Sequence, residues 1–112
     1  MRLALAAAAL AVVAGTAMAQ TRIELNAQER RGEALLGKLC ADCHAVGRSD
    51  ASARAEAPAF RTLGQRYKIE NLEEALAEGL INGHSDMPEF HFSASDVGDA
   101  IAYLNAIQSR WT

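Results

Sequence analysis

The sequence predicts an all-α fold, three to four helices in one small domain, and three observations carry that prediction. Apolar residues recur at helical spacing in three stretches of the 112-residue chain. Each stretch follows an Asn or Ser with an acidic residue three positions on. That is the capping-box arrangement, which satisfies free N–H groups of a first helical turn. No stretch alternates apolar and polar residues convincingly enough for a strand.

Residues 1–19 read as a signal peptide outside the fold. Arg2 gives a positive start, Leu3 to Ala14 form an Ala/Leu/Val run, and Ala17-Met18-Ala19 places small residues where signal peptidase inspects them. Cleavage after Ala19 would leave a domain of residues 20–112, exported to the periplasm. The run is shorter than the roughly 20 residues a spanning helix needs; an uncleaved anchor is the alternative, and after signal removal the protein is expected not to span a membrane.

The first helix opens at Asn26 with Glu29, and Gly32, Leu35, Leu36 and Leu39 share one face. It delivers Cys40. Gly47, Ser49, Ser52 and Pro58 then break periodicity, leaving a long irregular loop in which Phe60 to Tyr67 hold a short helix. Asn71 with Glu74 opens the second helix, with Leu72, Ala75, Leu76 and Leu80 as its stripe and Gly83 as its stop. Ser93 with Asp96 opens the last, where Val97, Ala100, Ile101, Leu104 and Ile107 repeat.

The end of the first helix carries the chemistry: Cys40, Cys43 and His44 in the run C-A-D-C-H. Two thiols spaced in this way can each add to a vinyl group of one haem, and the adjacent imidazole is then held beneath the porphyrin to ligate iron. Other readings are a redox-active disulfide, a zinc site completed by His84 or His91, and a plain structural disulfide. The first normally opens a helix beside a parallel sheet, whereas this motif closes a helix. Adjacent Cys43 and His44 would chelate zinc awkwardly, and a structural disulfide needs no His44. Export agrees with haem attachment, which bacteria carry out beyond the cytoplasm. A domain this small is marginal on its own core, and its aromatics are few: Phe60, Tyr67, Phe90, Phe92, Tyr103 and Trp111. A haem would supply the missing apolar bulk, so the apo-protein is expected to fold poorly.

For the opposite face of the iron, Met87 is the one methionine outside the leader. Pro88 biases it toward an extended backbone, from which a thioether can point into a pocket. Gap-filling packing is the bland alternative, and His84 and His91 compete as imidazole ligands. Gln65, Arg66 and Tyr67 are candidates to reach the haem propionates, since a guanidinium suits a carboxylate. The alternative is a solvated Arg66 and a core Tyr67.

Taken together, C-A-D-C-H at Cys40 to His44, A-P-A-F at Ala57 to Phe60, M-P at Met87 and Pro88, and D-A-I-A-Y-L at Asp99 to Leu104 resemble a class I c-type cytochrome. The resemblance covers essentially all of the mature chain. It implies a cytochrome c fold whose N- and C-terminal helices cross and whose helices wrap one covalently attached haem c. His44 would be the proximal iron ligand and Met87 the distal one. The Pro58 carbonyl would accept the other ring N–H of His44, an outer contact that orients a bound imidazole. Gly32 would let the first helix cross the last closely, near Tyr103. Leu36 stands where many relatives carry an aromatic, and Ala100 where a larger apolar residue is common.

With both axial positions filled, no iron site remains for substrate, and the expected role is a one-electron carrier, not an enzyme. A haem-bearing subunit of an oxidoreductase complex is the alternative. A gas sensor or peroxidase would need an open sixth position. Acidic residues outnumber basic ones, 14 to 11, so no nucleic-acid partner is expected. From Arg22 to Lys68 there are nine basic and six acidic residues, and from Ile69 to Ser109 eight acidic and no basic. That asymmetry can steer a redox partner with a basic docking surface; solvated helix faces explain it equally well.

Overall fold

A computed structural model describes residues 2–4, 7–11, 24–79 and 86–109. Its α-helices are α1 (Ala27–Cys40), α2 (Leu72–Glu78) and α3 (Ala94–Ile107), with short 3-10 helices at Phe60–Gln65 and Ile69–Asn71. Among the described residues there is no strand, and the protein is all-α.

Two of the helix starts form as their sequences dictate. The Asn26 side chain accepts from the Glu29 backbone N–H at 2.8 Å, and Glu29 Oε2 accepts from the Asn26 backbone N–H at 2.9 Å. Ser93 Oγ accepts from the Asp96 N–H at 3.1 Å. The start of α2 differs from expectation. Asn71 already has helical backbone angles (φ −68°, ψ −13°) and makes no side-chain cap. The chain turns three residues earlier, at extended Lys68, and the 3-10 turn Ile69–Asn71 runs directly into α2. An Asx cap needs an extended residue, so the helix that enters through a 3-10 turn leaves Asn71 no such role.

The stop of α2 also differs. It ends at Gly79 (φ +102°), whose N–H donates to the Ala75 carbonyl at 2.9 Å. Only glycine adopts that backbone without strain. Gly83, expected as the stop, and Leu80, expected in the stripe, lie outside the described residues.

The core forms where α1 and α3 cross. Leu36, Ala100, Tyr103 and Leu104 are all buried to within 3% of full burial. At Gly32 an added Cβ would overlap the Asp99 carbonyl and lie 2.8 Å from Tyr103 Cβ. Glycine is therefore what allows this approach, and Leu36 and Ala100 complete a tight crossing without larger side chains. All five residues of the α3 stripe are buried, together with Asp99 and Tyr103. Asp99 faces Arg31 of α1 across 3.2 Å. The Tyr103 hydroxyl donates to the Val46 carbonyl at 2.6 Å, which ties the loop after His44 to α3. Burial and nearby Glu33 raise the Tyr103 phenol above its ordinary pKa.

Candidate haem-attachment site

The turn that closes α1 is built on one carbonyl. Cys40 is the last residue of α1, and its carbonyl accepts from the backbone N–H groups of Cys43 at 3.2 Å and His44 at 2.9 Å. The wound turn keeps Cys40, Cys43 and His44 within one tight stretch. Both cysteines are free thiols and half-buried. Burial, reinforced by Cys43, pushes the Cys40 thiol up to about 11. Exchange-active cysteines instead have depressed values that favour the thiolate, so this site does not have the electrostatics of a disulfide oxidoreductase.

The segment after the turn folds back beneath His44. Ala45 donates its N–H to Ser52 Oγ at 2.9 Å and accepts from the Phe60 N–H at 2.9 Å. Those bonds fix the loop ends and bring two residues of the A-P-A-F run onto the imidazole. The Pro58 carbonyl lies 2.8 Å from His44 Nδ1, and the Phe60 ring sits 4.8 Å from the His44 ring, tilted by 33°. A carbonyl can only accept, so Nδ1 donates in this contact, which leaves Nε2 as the nitrogen available to a metal. A contact of this kind orients a histidine that binds a metal. Gln108, just past the end of α3, braces the same region, donating from Nε2 to the Phe60 carbonyl at 2.9 Å while its Oε1 accepts from the Gly64 N–H at 2.7 Å.

The remaining candidates are more scattered. Met87 is half-buried on the non-helical segment leading into α3. Arg66 and Tyr67 follow the Phe60–Gln65 helix, and both are exposed; at 55% exposure Tyr67 is not a core residue. His91 is exposed, with Nε2 3.3 Å from Glu89 Oε1. His84 lies outside the described residues. Sequence reasoning gave no role to Phe60 beyond its motif, nor to Ser52 or Gln108. The A-P-A-F run was the signal that could have placed Phe60 against His44.

The donor set fits a haem: two sulfurs not paired with each other and an imidazole oriented through Nδ1. Among the described residues no group of three or more His, Cys, Asp or Glu could hold a bare metal ion, which leaves the zinc reading without a ligand cluster there.

A haem-type C-x-x-C-H turn beside crossing terminal helices is the architecture of a class I c-type cytochrome. Over residues 27–104 the chain matches the family model described as Cytochrome C oxidase, cbb3-type, subunit III, and it belongs to that family of cytochrome c domains. It is also 33% identical over 84 residues to "Cytochrome c-552" of Bradyrhizobium diazoefficiens (strain USDA 110), covering 75% of this chain and 79% of the relative. No solved structure matches. The protein thus carries covalently bound haem c with its iron, and its chemistry is electron transfer with redox partners. Among the described residues no helix is long and apolar enough to cross a membrane.

Proposed function

We propose that the protein is a periplasmic one-electron carrier whose haem is bonded to Cys40 and Cys43 and ligated by His44 and Met87. The observation that carries this reading is the His44 imidazole held 2.8 Å from the Pro58 carbonyl, on the same turn as two unpaired, half-buried thiols. When bound, the haem supplies a one-electron ferrous–ferric couple, and methionine opposite histidine raises its potential relative to two nitrogen ligands. The chain's own work is to fix the imidazole tautomer, bury the thiols and set a thioether opposite. Arg66 and Tyr67, exposed and adjacent, are free to hydrogen-bond propionates at the haem edge. In this reading residues 1–19 are removed on export. The near-complete exposure of Leu3 and Leu10, 94% and 89%, agrees with a leader that contributes nothing to the domain core. A basic partner surface would meet the acidic stretch from Glu70 onward, from which Asp99 must be subtracted because it is buried against Arg31.

The family match gives a second reading specific support. The matching description names an oxidase subunit, so this domain would be a haem-bearing subunit that feeds one catalytic partner. Stable co-purification with such a partner favours the subunit, and a monomeric holoprotein that exchanges electrons with several partners favours the free carrier.

Ligation is tested by replacing Met87 with Ala in the haem-loaded protein. The variant should keep covalent haem, lose the sulfur-to-iron charge-transfer band of the oxidised form, bind carbon monoxide when reduced, and fall in reduction potential. An unchanged spectrum would transfer the distal role to His84 or His91. A wild-type protein that lacks the band and binds carbon monoxide rapidly would instead support a sensor or peroxidase.

A further inference from the structure

Arg54 lies in the irregular stretch between His44 and Phe60, and its backbone and side chain are fixed to different parts of the centre. Its backbone N–H donates to the Cys43 carbonyl at 3.1 Å, one residue from His44. Its guanidinium Nη2 donates to Asp86 Oδ2 at 2.6 Å, one residue from Met87. Arg54 and Asp86 are 32 positions apart in sequence, so the ion pair cross-links two segments that are distant along the chain. On its far side the same segment is held by Phe92, whose N–H donates to the Leu76 carbonyl at 3.2 Å. The residues carrying Met87 are thus anchored both before and after the thioether. Among the described residues, Arg54 supplies the anchor nearest to it.

We propose that Arg54 is a positioning residue for distal ligation: its ion pair with Asp86 ties the Met87 segment to the C-A-D-C-H turn and keeps the thioether on the iron. This inference rests on Met87 being the distal ligand. An incoming ligand reaches the iron only from the population with the thioether dissociated, so its apparent affinity scales with that fraction. Loosening the tether raises the fraction. Side-chain exposures of 45% for Arg54 and 66% for Asp86 make this a solvent-screened pair. Its effect is accordingly a few-fold, not orders of magnitude, and it fades at high salt.

The test is an imidazole titration of ferric, haem-loaded protein, read from the absorption spectrum. Arg54→Gln and Asp86→Asn should each raise the imidazole association constant about two- to five-fold at low ionic strength. The double variant should match the singles because both remove the same contact. In about 1 M salt the differences should vanish. Glu56→Gln, which removes the second carboxylate near Arg54, at 3.5 Å, should leave affinity unchanged. Met87→Ala should raise it far more than any of these. Unchanged affinity in Arg54→Gln and Asp86→Asn, or effects that simply add in the double variant, overturns the tether while leaving Met87 as ligand. Wild-type affinity equal to that of Met87→Ala overturns the ligand reading itself.

Discussion

Gly32→Ala should destabilise the haem-loaded protein, and Gly37→Ala, one and a half turns along the same helix, should stabilise it. At Gly32 the new Cβ overlaps the Asp99 carbonyl oxygen and stands 2.7 Å from the Asp99 carbonyl carbon and 2.8 Å from Tyr103 Cβ. Comfortable carbon contacts need roughly 3.5–4.0 Å, so α1 and α3 must separate by about 1 Å. Backbone obstructs most of the space, so no rotamer change relieves it. Overpacking of this kind costs up to about 3 kcal/mol, and the better helix propensity of Ala offsets about 1, leaving a net loss of about 2 kcal/mol. At Gly37 nothing lies within 4 Å of the added methyl, so the propensity gain of about 1 kcal/mol stands alone. Urea unfolding followed by circular dichroism measures both. With a slope of about 1 kcal/mol per M for a small domain, the midpoints should fall by about 2 M and rise by about 1 M respectively. If Gly32→Ala raised the midpoint as Gly37→Ala does, the two helices would not touch there and the crossing would be wrong.

Tyr103→Phe removes a buried hydroxyl that donates at 2.6 Å to the Val46 carbonyl and should cost about 1–2 kcal/mol near neutral pH. Because the folded phenol titrates above its ordinary value of 10, its stabilisation is complete below that pH and is lost as pH rises through the folded value. The gap between wild type and Tyr103→Phe in urea midpoint should therefore narrow above pH 10, and a widening gap would contradict the assigned burial. Arg31→Ala and Asp99→Asn should show a coupling of about 1 kcal/mol in a double-mutant cycle, since the pair closes at 3.2 Å across the helix crossing. A coupling of zero would make Asp99 merely a tolerated buried carboxylate. Phe60→Ala should cost about 3 kcal/mol or more as a core truncation. Because Phe60 also packs 4.8 Å from the His44 ring, the variant should perturb the haem absorption spectrum as well, and an unaltered spectrum would remove Phe60 from the account of His44.

What the sequence made legible was local. The boxes at Asn26–Glu29 and Ser93–Asp96 act within one turn, and the stripes of α1 and α3 need only the helical period. The C-A-D-C-H run was legible because its chemistry depends on spacing along a single turn. Asn71 misled because a capping signal cannot show that a 3-10 turn precedes it. Gly83 misled as the stop of α2, because sequence does not show that Gly79 takes the positive φ that ends the helix earlier. The unread features are contacts between distant residues: Arg31 with Asp99, Arg54 with Asp86, Gln108 with Gly64 and Phe60. Asp99 shows the difficulty plainly. In sequence it is one more charge on an acidic segment, and only the crossing of α1 over α3 turns it inward.

The most direct measurement is the intact mass of the denatured polypeptide, purified from an exporting host that can attach haem, after treatment with a thiol-alkylating reagent. The expected species starts at Gln20, is heavier by one haem, and has neither Cys40 nor Cys43 alkylated. A polypeptide without added haem and with both thiols alkylated would contradict the account at its root.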